Sequence, residues 1–160
     1  MKPLKVLNDA VTAFTAVVLL FMTIMVILQT FFRYVINVPF PESQELAVYA
    51  MVYVVTFGST IAVYRKTHIA VTFIVDKCPP SLALLVRIVA YVSMLVFFAI
   101  LVKEGWALTL RSMRQLSPTT GIPVGYIMGS LPVTAAISIL YVLEQFYNEV
   151  RDFIAARRAG

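Results

Sequence analysis

Apolar residues run almost unbroken through four stretches of the chain, and charged residues collect at their ends. The stretches lie at about 10–31, 45–64, 82–102 and 123–146. A hydrocarbon core about 30 Å thick is crossed by roughly 20 apolar residues rising 1.5 Å each. Every stretch reaches that length, so the pattern predicts four transmembrane α-helices. The links are short, with no repeat and no room for a soluble unit. The expected organisation is one four-helix membrane domain over residues 1–160.

Polar residues inside these stretches are periodic. The second carries Glu45, Tyr49, Tyr53, Thr56, Thr60 and Tyr64 at spacings of three or four, which places them on one helix face. The fourth repeats the pattern with Tyr126, Ser130, Thr134, Ser138, Tyr141, Gln145 and Asn148, and the first holds a thinner version in Asn8, Thr12, Thr23 and Thr30. Gly125 and Gly129 form a small-xxx-small pair that admits a second backbone. Between Arg87 and Lys103 the third stretch is nearly all aliphatic and aromatic, so it is expected to face lipid most. Two readings of the polar stripes stand: packing within the bundle, or pairing with a second membrane protein. Neither marks an aqueous path, because no stripe carries a charge at mid-depth. Pro132 is expected to bend the fourth helix, its freed carbonyl being satisfied by neighbours.

Composition supports the membrane assignment. The chain is 61% hydrophobic and 13% charged, with a mean hydropathy of +0.89. A soluble domain carries about 25% charged residues to wet its surface. The net charge of +5 is scattered around apolar segments, which points to topology and not to nucleic acid. Lys2, Lys5, Arg65, Lys66, Lys77, Arg151, Arg157 and Arg158 fall on the side of both termini and the middle loop. Arg33, Lys103, Arg111 and Arg114 fall on the other, and Arg87 lies within the third stretch. The excess predicts cytoplasmic termini. The run from Ala10 to Phe31 is too long for a signal-peptide core, and "QTFFRYV" offers no small-residue cleavage site, so it reads as an uncleaved first helix. "RKTHIAVTFIVDKCPP", between helices 2 and 3, is amphipathic but too short to span. A short interfacial helix near anionic lipid headgroups is the preferred reading; its β-branched residues leave an extended segment as the alternative.

Candidate chemistry is sparse. His68 and Cys78 are single, so the chain cannot make paired haem ligands, an ordinary zinc site or an internal disulfide. No nucleophile–base–orienter set, phosphate-binding glycine loop or HExxH motif appears. No cofactor, metal or catalytic residue is expected, and the chain does not read as an enzyme. Arg33, Glu42 and Glu45 meet at a membrane edge, either as an ion pair clamping helices 1 and 2 or as a solvated pair. His68 reads as a loop histidine or as a tie between the interfacial segment and the bundle. Arg111 and Arg114, with Pro118 and Pro123, form a basic, proline-stiffened exterior loop, either generic or a docking surface for an acidic partner. Arg87 is expected to snorkel to headgroups. Carriers commonly place ionisable groups or broken helices at mid-membrane in repeated halves; here the charges sit at the ends.

Four motifs in order resemble those of one family. An arginine follows helix 1 (Arg33), acidic residues open helix 2 in "PESQEL", and a basic-x-x-His-Ile segment follows in "RKTHIAV". A Ser-Pro loop then leads into helix 4 in "LSPTTGIPVGYIMGSLPV". Over essentially the whole chain the sequence resembles the small, DctQ-like membrane subunit of tripartite ATP-independent periplasmic (TRAP) transporters. Where that family often has two adjacent acids, this chain has Gln44-Glu45. The resemblance implies a multi-pass inner-membrane protein that scaffolds a large elevator-type membrane subunit. It also implies help in docking a periplasmic substrate-binding protein, for sodium-driven uptake of an organic anion. The alternatives are an independent homodimeric carrier, which would want a carboxylate at mid-helix, and an anchor subunit of another membrane complex.

Overall fold

The computed structural model describes residues 2–38, 40–65 and 80–159, with side chains for 4–38, 40–65 and 86–151. Helix α1 (Lys2–Phe31) runs into a π-turn (Phe32–Ile36). It is followed by α2 (Pro41–Tyr64), α3 (Pro80–Ser112), the single turn α4 (Gly125–Met128) and α5 (Ser130–Ala159). Among the described residues the only extended pairing is an isolated bridge between Leu116 and Pro123. Four segments are long and apolar enough to cross a membrane: Leu4–Ile36, Pro41–Tyr64, Val86–Ser112 and Gly125–Arg151. The expected all-α, four-span architecture is therefore present, and an even number of crossings brings both termini to one end.

The helices overrun the apolar stretches. At 33 residues, α3 is about 50 Å long, well beyond the hydrocarbon thickness. Its last turns, 104–112, were expected to be loop. They stay helical because Gly105, Thr109 and Ser112 recur at helical spacing and are buried on one face. A Cβ on Gly105 would lie 3.3 Å from the Pro132 ring, so α3 and α5 cross closely there. Pro132 occupies the third position of α5, where a missing N–H costs little. The helix is interrupted at Gly129, between α4 and α5, where the backbone keeps right-handed helical dihedrals, φ −63 and ψ −19.

Packing is sequential: α1 lies along α2, α2 against α5, and α5 against α3. The central pair therefore carries the core, with Val63, Tyr141 and Val142 buried and flanked by Leu4, Leu7, Met94, Leu95 and Phe98. In the most apolar window of α5 44% of residues are buried, against none in that of α3. This agrees with α3 as an outer helix. The same holds nearly as strongly for α1, whose Val17, Leu20 and Ile27 are exposed. Thr12, Thr15, Thr23 and Thr30 each donate to the carbonyl four residues back. The threonines of the α1 stripe thus satisfy themselves, whereas Asn8 Oδ1 is buried without a hydrogen-bond partner among the described residues.

The stripes on α2 and α5 face each other. Ser138 Oγ donates to Thr60 Oγ1 at 3.3 Å and Thr60 Oγ1 to the Thr134 carbonyl at 3.4 Å. Gln145 Nε2 donates to the Val63 carbonyl at 2.8 Å and to that of Tyr64 at 3.3 Å. Those carbonyls belong to the last turn of α2, where helix carbonyls run short of intrahelical donors, so Gln145 caps α2 from across the bundle. For these residues, packing within the bundle is the reading the structure bears out. Gly125 serves it too. A Cβ on Gly125 would sit 2.7 Å from the backbone nitrogen and Cγ of Met113, and one on Gly129 would sit 3.6 Å from Thr109. Gly125 is the one that admits the segment ending α3, since 3.6 Å is an ordinary contact distance.

Candidate functional site

At the end of the molecule away from the termini, the start of α2 adjoins the π-turn on one hand and the loop 113–124 on the other. α2 opens with Pro at its first position and Glu42 in its first turn, both favoured at a helix N-terminus. The loop is a tight hairpin. Ser117 N–H donates to the Ile122 carbonyl at 3.0 Å, Val124 N–H to that of Gln115 at 2.9 Å, and Gly121 N–H to that of Ser117 at 3.2 Å. Gly121 turns the chain at φ +67, a conformation that favours glycine.

Glu45 holds this loop. Its Oε1 accepts from the hydroxyls of Ser117 and Tyr49. Its Oε2 accepts from the Thr120 N–H at 3.0 Å. Ser117 Oγ in turn accepts from Thr120 N–H at 3.2 Å and lies 3.0 Å from Thr120 Oγ1. Tyr49 stands one turn along α2 on the same face, while Ser117 comes from 72 residues away. A carboxylate that accepts several hydrogen bonds, one from a loop backbone, acts as a clamp. It fixes the loop to α2. Nearby, Tyr53 Oη donates to the Tyr126 carbonyl at 2.8 Å, adding a second tie between α2 and the segment that follows the loop.

The predicted clamp between Arg33 and Glu42 or Glu45 is not the one that forms. Among the described residues no ion pair joins them. Glu45 is occupied by uncharged donors, and Glu42 is exposed. Arg33 lies in the π-turn with its guanidinium 5.8 Å from the centre of the Tyr34 ring. Arg111, in the last turn of α3, and Arg114, just after it, are exposed, as is Pro118. Pro123 pairs with Leu116. Arg111 and Arg114 thus stand exposed where the chain enters the clamped loop. His68 and the interfacial segment around it lie outside the described residues.

Sequence reasoning missed Ser117, Thr120 and Tyr49 as the partners of Glu45. The turn-forming "SPTTG" and the i,i+4 spacing of Glu45 and Tyr49 were visible; their meeting was not. It also missed the pairing of Arg87 on α3 with Glu149 on α5, where a snorkelling side chain was expected. Among the described residues no group of His, Cys, Asp and Glu could hold a metal ion.

This architecture is that of a polytopic helical membrane protein, with polar side chains tying α2 to α5 and to the loop. The family profile of the DctQ component of tripartite ATP-independent periplasmic transporters matches residues 22–152, and the chain belongs to that family. It is 22% identical to a candidate TRAP transporter small permease protein of Haemophilus influenzae, over 91% of this chain and 95% of the relative. A second such protein of that organism is 24% identical over 96% and 91%. The sialic acid TRAP transporter small permease protein SiaQ of Vibrio cholerae is 28% identical over 72% of this chain and 67% of its own. The chain is therefore a multi-pass protein of the bacterial inner membrane and a small permease subunit of a TRAP system, working in a complex with other TRAP components.

Proposed function

We propose that the chain is a non-catalytic scaffold. It supports the large, elevator-type membrane subunit and presents a surface to the periplasmic substrate-binding protein. The organic anion moves through the large subunit, driven by sodium. One observation supports this reading: Thr60, Ser138 and Gln145 tie α2 to α5, and Glu45 ties α2 to the loop. These ties stiffen the bundle. With both termini cytoplasmic, Arg111, Arg114 and the loop held by Glu45 face the periplasm, where a basic surface suits an acidic patch on a soluble partner. The cargo is an organic acid, a class to which the sialic acid in one relative's name belongs.

Affinity purification through a tag on this chain should recover a large membrane subunit in fixed proportion. Arg111→Glu with Arg114→Glu should leave that recovery intact. It should weaken binding of the soluble component several-fold, and more so at low salt. Recovery of the chain as a homodimer that itself binds an organic anion would contradict the proposal.

A further inference from the structure

The corner around Arg33 has a second feature that the scaffold role does not use. A cleft of about 320 Å³ opens between the end of α1 and the start of α2, lined by Gln29, Arg33, Asn37, Phe40, Pro41 and Gln44. Its backbone is irregular for a reason. In the π-turn the Phe32 carbonyl accepts from Asn37 N–H and, at 3.2 Å, from Val38 N–H. Asn37 then takes a left-handed conformation, φ 57 and ψ 26. π-turns are rare and gather at functional sites, while a left-handed Asn is an ordinary way to end a helix. The winding sets a guanidinium among three carboxamides. Among the described residues Arg33 has no carboxylate partner, because Glu45 is engaged by the loop. Around the cleft lie exposed Phe31, Tyr34, Val35, Ile36 and Val38, an apolar and aromatic collar at the end of a membrane span.

We propose that this cleft binds the phosphodiester of a phospholipid head group from the leaflet facing away from the termini. The guanidinium provides a forked, charge-assisted donor for phosphate oxygens, and the amides of Gln29, Asn37 and Gln44 offer further donors. The collar receives the acyl chains, which a free anion lacks.

The test is native mass spectrometry of the full transporter complex, exchanged into micelles containing phosphatidylglycerol or, separately, diacylglycerol. Phosphatidylglycerol should remain bound and diacylglycerol should not. Arg33→Ala should lower retention about tenfold, the loss of one charge-assisted contact. Gln44→Leu should lower it less, and inorganic phosphate should not displace the lipid. Arg33 and Gln44 are exposed, so both variants should fold, which an unchanged elution profile would verify. Equal retention by Arg33→Ala, equal retention of diacylglycerol, or displacement by inorganic phosphate would overturn the proposal. So would loss of the other transporter subunits from Arg33→Ala at an unchanged lipid count, which would assign the arginine to a protein carboxylate.

Discussion

Glu45 shows how one carboxylate at a membrane edge can shape a surface. It gathers a hydroxyl from its own helix, a hydroxyl from a loop and a loop backbone N–H. Glu45→Ala should leave the spans intact but free the loop, so the Thr120 amide should exchange with solvent several-fold faster than in the parent. Ser117→Ala should act in the same direction and less strongly, since the backbone bond to Glu45 remains. An unchanged Thr120 exchange rate in Glu45→Ala would remove the clamp. Gln145 plays the matching part at the other end, where its amide caps the last turn of α2. Gln145→Leu strips a donor from the buried Val63 carbonyl and the half-buried Tyr64 carbonyl and should cost about 1–2 kcal/mol, read as a lower unfolding temperature in detergent.

At the scale of elements, close backbone approach and one exposed ion pair can be ranked against each other. A Cβ on Gly125 meets the backbone of Met113, which cannot swing aside. Gly125→Ala should therefore force α4 from α3 and cost about 1–3 kcal/mol, as overpacking does. Gly58 has nothing within 4 Å of its Cβ position, so Gly58→Ala should be neutral or stabilising, by up to about 1 kcal/mol. The two glycines thus make a matched pair for thermal unfolding. By contrast, Arg87 and Glu149 join α3 to α5 with side chains that remain 39% and 23% exposed. A double-mutant cycle should assign them no more than about 1 kcal/mol. Packing at Gly105 and Gly125, not this pair, holds α3 in place.

For the whole molecule, the four spans, their order and the family were legible in the sequence, because membrane thickness fixes a length that hydropathy reports directly. The ends of the helices were not. Residues 104–112 look like loop because Lys103 and Glu104 end the apolar run, whereas the face that keeps them helical is small and polar. The partner of Glu45 was also hidden: Arg33 is its neighbour along the chain, but Ser117 becomes one only after α3 and the hairpin have folded. Periodicity identified the polar stripes of α2 and α5; only their mutual contact distinguishes internal packing from a docking face. The resulting object is a row of four helices tied internally at several levels, consistent with a part that stays still while a companion moves. Reconstitution in sealed vesicles tests this most directly, comparing the chain alone with the full set of TRAP components under an inward sodium gradient. The account predicts organic-anion accumulation only with the full set; accumulation by this chain alone would contradict it.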